Sequence, residues 1–298
     1  MWFKNLVLYR LDLDFELTAE ELAERIAGAA FKPCGGLDPF SLGFGPPLGR
    51  GTRALVHAAA GHLLVCVRRE ERLLPPAVVR ETVEERIAAI EENEGRPVRG
   101  RARRALRDEV IFELLPKAFT RSRHTFAYLS PAEGWLVVDA SSPRRAEELV
   151  GLLARSCPGL GIGPYGTQAP VGTELTRWIA ERSPPAGFTV LDDCELRDPA
   201  DQGSVVRCVR QDLTGAEIRA HLDAHKLVQR LALGFEDRLS LILAADLTVR
   251  RLRFDSVEEV DAGDEPDELA RFDANFAYMT AEVSRLLARL AEVFPPAD

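Results

Sequence analysis

The order of predicted elements indicates an α+β protein, and three observations carry that reading. Apolar strand runs come in adjacent pairs joined by short turns, helical segments fall between them without a regular βαβ alternation, and a long helical pattern closes the chain. The expected architecture is mixed, largely antiparallel sheets with a helical hairpin arm and a long C-terminal helix.

The opening run WFKNLVLYRLDLDFEL alternates roughly and reads as a strand. Thr18 and Glu21 stand at the spacing of a capping box, which opens a helix through about residue 30. FKPCGGLDPFSLGFGPPLGRG reads as a glycine- and proline-rich connection. TRALVHAA and HLLVCVRRE then form a predicted hairpin. After LLPP the pattern turns helical: VVRETVEERIAAIEENEG is rich in glutamate and closed by Gly95. The arginine stretch GRPVRGRARRALRDE starts a second helix, with Ala102, Leu106, Val110 and Leu114 as an apolar stripe. Arg103 and Arg107 flank that stripe, and Arg101 and Arg104 point away from it.

HTFAYLS–PAEG–WLVVDAS is the clearest hairpin. Ser142 caps a helix whose first position is Pro143, running to about residue 155. A glycine- and proline-rich segment, 158–172, leads to a short helix at about 175–181. FTVLDDCEL and VVRCVRQDL are strands. Thr214 and Glu217 form a second capping box, opening a helix through His225. KLVQRLALGFE, RLSLILAAD and TVRRLRF make a meander, followed by an acidic linker and a helix over about 267–293. The predicted organisation is a central α+β domain (1–76 with 117–160), a helical tip insertion (77–116) and a base α+β domain with the C-terminal helix (161–298).

No apolar run approaches the roughly 20 residues that span a bilayer. Lys4, Arg10, Asp12 and Asp14 interrupt the apolar opening, which reads as a strand and not as a signal peptide. The five cysteines include no CxxC, so reduced, mostly buried thiols in a cytoplasmic protein are expected.

The formal net charge of −9 conceals a segregation. Residues 255–273 hold nine acids and one arginine, whereas 96–123 hold nine basic residues against Asp108, Glu109 and Glu113. Lys117, Arg121 and Arg123 surround Phe119, and Arg207, Arg210, Lys226, Arg230, Arg250, Arg251 and Arg253 add basic groups on other elements. Each run taken alone is an ordinary solvated face, with Glu84, Glu85, Glu91 and Glu92 available to pair with the hairpin arginines. Their recurrence on several elements points to a polyanion.

Catalytic patterns are weak. His221 and His225 have the i, i+4 spacing of zinc ligands, but Leu222 stands where a zincin carries its glutamate base. GLGIGPYG and GFGPPLGRGT lack the context of phosphate loops and read as plain turns.

WFKNL, the FKPCG and PPLG turns, LLPKAFTR, VRCVRQDLT-x-x-EI and RFDANF follow one another in this order. Together they resemble the recombination-associated protein RdgC family, over essentially the whole chain from Trp2 to the C-terminal helix. The resemblance implies a cytoplasmic, nucleoid-associated protein without catalytic activity, cofactor or membrane partner. It implies binding of double-stranded DNA with little sequence preference, and restraint of RecA-promoted strand exchange. It further implies a homodimer closed into a ring around duplex. Phe119 corresponds to an aromatic at the dimer contact between the helical tips. Lys117, Arg210, Gln211 and Lys226 fall on DNA-facing positions, and Arg101, Arg104, Arg121 and Arg123 complete the candidate DNA-binding set. His225 departs from the pattern by standing where a glycine is expected. Two other readings stay open: an interaction module that binds RecA directly through the acidic C-terminal segment, and a metal-dependent enzyme using His221 and His225.

Overall fold

Strand β1 (Leu6–Leu13) shows how the fold is organised, because both of its faces are buried. Leu6 and Leu8 enter one apolar core, while Val7, Tyr9 and Leu11 enter another on the opposite side. That is the period-two alternation of a strand lying between two layers. The computed structural model describes residues 2–13, 17–49, 51–201, 203–255 and 268–296.

The remaining elements follow in chain order. Helix α1 (Ala19–Ala27) leads to strands β2 (Phe40–Gly45), β3 (Val56–Ala59) and β4 (His62–Arg72). Helices α2 (Pro76–Glu94) and α3 (Gly100–Leu114) and the 3-10 turn Leu115–Lys117 precede β5 (Thr120–Ser130) and β6 (Trp135–Asp139). Next come α4 (Pro143–Ser156), β7 (Leu160–Pro164), α5 (Val171–Ala180), β8 (Phe188–Arg197) and β9 (Val205–Cys208). The chain closes with α6 (Ala216–Asp223), β10 (Leu227–Phe235), β11 (Leu239–Ala244), β12 (Val249–Phe254) and α7 (Glu268–Val293).

All twelve of these strands join one sheet, in the order β2-β4-β5-β6-β1-β12-β11-β10-β8-β9, with β3 on β4 and β7 on β1. The pairings between these strands are antiparallel. The α+β class, the antiparallel sheet and the C-terminal helix therefore stand as the sequence indicated.

Helix α7 lays Phe276, Met279, Val283, Leu286, Leu287 and Leu290 on one face, beside Leu231, Leu233 and Leu243. Helices α1 and α4 cover the other face along β1, β5 and β6, through Leu22, Ile26, Leu149 and Leu153. Helices α2 and α3 carry a small core of their own, Val79, Val83, Ile87, Leu106 and Val110. Gly95 joins them in the left-handed region at φ 66°, where a glycine meets no Cβ penalty.

Several expectations need correction. The connection after α1 contains β2, and the segment 158–172 contains β7, which pairs with β1 from Tyr9↔Pro164 to Leu13↔Leu160. Both are concealed in the sequence by glycines that read as turn formers. The Thr18–Glu21 capping box is present, but the second is not. Gly215 is the N-cap of α6, and the Thr214 hydroxyl donates instead to Asp212 Oδ1 at 2.7 Å. The near side chain of Asp212 takes the Thr214 backbone N–H as well, at 2.8 Å, a local turn that outcompetes the cap. Ser142 is an N-cap in backbone geometry, with Pro143 at the first position, but its hydroxyl makes no capping bond. Helix α6 ends at Asp223, and His225 lies beyond it at φ 61°. His221 and His225 therefore do not share a helix face, and the i, i+4 premise of the metal reading is gone. The acidic linker falls mostly on 256–267, outside the described residues.

Candidate nucleic-acid interface

The basic side chains occupy three regions. On α3, Arg103 pairs with Glu84 across the hairpin. Among the described residues Arg99, Arg101, Arg104 and Arg107 make no ion pair, so most of this charge is uncompensated. Arg104 does not point away from the stripe as expected. It lines a groove with Arg80, Arg103 and Arg107 over Val79 and Val83, because the helix pair crosses closely enough for long stems to fold over its apolar seam. The first turn of α3 holds no acid. Cations there oppose the helix dipole, at about 0.3–1 kcal/mol each near the surface.

The second region is the end of β4 and β5. Arg121 and Arg123 both reach Glu71, at 2.5 and 3.3 Å, and Arg69 approaches the same carboxylate at 3.6 Å. The register sets this up: Glu71 stands directly opposite Arg121, and Arg69 opposite Arg123. The Arg121 hydrogen bond outweighs burial and holds the Glu71 carboxyl below the ordinary carboxylate range. Lys117 is 3.6 Å from Glu113. Phe119 follows it and is 85% exposed. Phe112, on the outer side of α3, is exposed as well.

The third region surrounds β9. Arg210 and Gln211 leave that strand in a turn, not in the longer strand expected there. Arg210 is left-handed at φ 52°, its N–H donating to Asp193 Oδ1 at 2.9 Å. The backbone N–H of Gln211 donates to Asp192 O, and its amide donates to Glu217. Lys226 sits at the other end of β9, its Nζ donating to Ser204 Oγ at 2.6 Å. The left-handed turn in which a glycine was expected before Lys226 is made by His225, with the Lys226 N–H bonded to His221 O.

Between these two ends lies a feature that the sequence does not announce. The Glu195 side chain is only 6% exposed and holds three guanidiniums. Arg197 donates twice to Oε1, from Nε and Nη2, at 3.0 and 2.9 Å. Arg207 Nε and Arg230 Nη1 donate to Oε2 at 3.1 and 3.3 Å. Burial pushes the Glu195 carboxyl up, but the hydrogen bonds from Arg197 and Arg207 and the charge of Arg230 outweigh it, and its pKa lies below the ordinary value. In the sequence, FTVLDDCEL reads only as a strand. The signal that could find Glu195 is an acid in a strand between arginine-bearing strands, a signal that Asp192 and Asp193 share. Among the described residues no group of three or more His, Cys, Asp or Glu is placed to hold a metal ion. No helix there is long and apolar enough to cross a membrane.

A family model described as "Putative exonuclease, RdgC" matches residues 1–296. The chain belongs to the RdgC family. Among its relatives, the recombination-associated protein RdgC of Halorhodospira halophila is 46% identical over 296 residues, covering 99% of this chain and 98% of that protein. The Aeromonas hydrophila protein of the same name is 41% identical, covering 97% and 96%. That of Sodalis glossinidius is 39% identical, again covering 97% and 96%. The resemblance drawn from six short motifs thus extends over the whole chain.

Proposed function

We propose that this protein acts in DNA recombination by binding double-stranded DNA without sequence preference. In this reading a homodimer closes into a ring around the duplex and restrains RecA-promoted strand exchange in the nucleoid. The recombination role follows the names of the relatives. The observation that carries the DNA reading is the uncompensated charge of α3. Among the described residues Arg99, Arg101, Arg104 and Arg107 lack ion pairs, and Arg99 and Arg101 stand at a helix start that disfavours cations. An external polyanion would supply the missing counter-charge. Phosphate contacts position a protein without reading bases, and counterion release supplies most of the non-specific affinity.

The test is a titration of two unrelated duplexes at several salt concentrations. If roughly 6–10 phosphates are neutralised, affinity falls about 10³–10⁵-fold between 50 and 200 mM salt. A flat salt response, or a strong preference for one duplex, overturns the reading. The family description as an exonuclease favours a second reading, degradation of DNA ends. Loss of end-labelled duplex with Mg²⁺ or Mn²⁺, at a rate that follows the protein through purification, would establish it.

A further inference from the structure

We infer that the concavity beside Glu195 is a phosphodiester-binding site, and that Glu195, although negatively charged, is its positioning residue. The inference rests on the DNA-binding reading and deepens it.

The site is built by strand register. Glu195 on β8 faces Arg207 of β9 on one side and Arg230 of β10 on the other, with Arg197 two residues along the same strand. One buried carboxylate thus fixes three guanidiniums that would otherwise repel each other. The cluster keeps a net charge of two positive units, and the carboxylate's oxygens are occupied by arginines rather than open to a ligand.

The free donors are placed outward. Arg207 uses only its Nε–H, and Arg230 only one Nη, in hydrogen bonds among the described residues. The Arg207 side chain is 69% exposed. Arg250 and Arg251 join Arg207 and Arg230 around a concavity of about 380 Å³, to which Asp193 contributes the other acid. Asp193 lies 3.8 Å from Arg251. A planar guanidinium held at its Nε edge presents both Nη groups as a fork, which matches two phosphate oxygens. Holding the arginines before binding lowers the ordering cost that exposed side chains otherwise incur. Beyond the two ends of β9 stand further polar groups: Arg210, whose N–H donates to the lining residue Asp193, and Lys226, which donates to Ser204.

Glu195→Gln separates organisation from bulk charge. It removes a negative charge and keeps the shape. If the basic face acts only through its net charge, the variant binds duplex more tightly, with a steeper salt dependence. If Glu195 positions the arginines, affinity falls by about tenfold, and the slope of log affinity against log salt becomes shallower by about 0.9 for each phosphate that is no longer neutralised. Glu195→Asp keeps the charge but withdraws the carboxylate by one methylene, and is expected to bind more weakly in the same way. Thermal melting checks the fold, and Glu195→Asp carries the test if Glu195→Gln does not fold. Equal or tighter binding, or weaker binding with an unchanged slope, overturns the inference while DNA binding by the unaltered chain stands. Failure of the unaltered chain to bind duplex overturns the DNA-binding reading itself, and this inference with it.

Discussion

Phe119 is an aromatic side chain in water, 85% exposed on the segment joining helices α2 and α3 to β5. Its backbone is held, since its carbonyl accepts from the Leu73 N–H at 2.7 Å, so the ring projects from a fixed support. A side chain of this size and exposure contributes little to the monomer's core, which gives the proposed tip contact a clean test. Truncation of an apolar interface anchor costs about 2 kcal/mol or more in association. Phe119→Ala is therefore expected to weaken self-association by that amount in sedimentation equilibrium while leaving monomer melting nearly unchanged. Its retention on circular duplex should fall more than on linear duplex, because topological trapping needs a closed ring. Unchanged self-association would remove Phe119 from the interface. The contrast with Glu195 is instructive at this scale. Phe119 stands out in the sequence by its company of Lys117, Arg121 and Arg123, whereas Glu195 draws its role from partners 12 and 35 residues away in the chain.

Among the elements, β2 shows how a glycine can conceal a strand. Gly43 lies where the chain at 29–31 crosses β2: a Cβ there would stand 2.5 Å from Phe31 Cα and 2.9 Å from Ala29 O. The Phe31 N–H donates to Phe44 O, and the Phe44 N–H to Ala29 O, at 2.8 and 2.9 Å. The close approach is thus fixed by backbone bonds that cannot lengthen freely. Gly43→Ala should destabilise the fold by about 1–3 kcal/mol, the usual cost of overpacking, read as a lower melting temperature. Gly45, a position with ordinary space around it, serves as the control. A Gly43→Ala variant that melts with the unaltered chain would refute this account of the strand.

For the whole molecule, carboxylates act as the fasteners of arginine clusters, and acid should release them together. Glu71 is held below the ordinary carboxylate range first by its hydrogen bond from Arg121, then by the charges of Arg123, Arg121 and Arg69, against burial. Glu195 is held there by its arginines, in spite of burial. A carboxylate whose folded pKa is depressed contributes stability that is fully present above its unfolded value, near 4.5. That stability is lost as pH falls through the depressed folded value. Denaturant midpoints should therefore hold above about pH 5 and decline progressively below it. Glu71→Gln should flatten part of that acid limb. An acid limb identical in the variant would show that the Glu71 cluster does not contribute to it.

The sequence by itself determined the α+β class, the two clearest hairpins, helices α2 and α3 with their Gly95 junction and the C-terminal helix. Each of these rests on local periodicity or on a capping residue whose effect reaches only a few positions. It also determined the family, because ordered short motifs survive without any knowledge of contacts. Tertiary structure alone decided that β2 and β7 are strands, since Gly43 and Gly161 lie against neighbouring chain that a Cβ would crowd. It decided that Arg104 joins the groove between α2 and α3, that α6 stops before His225, and that Arg121 and Arg123 share Glu71. It also decided that Glu195 gathers arginines from three strands. Charge pairing across a sheet depends on register, and register is set by the packing of the apolar faces, which no single stretch of sequence contains.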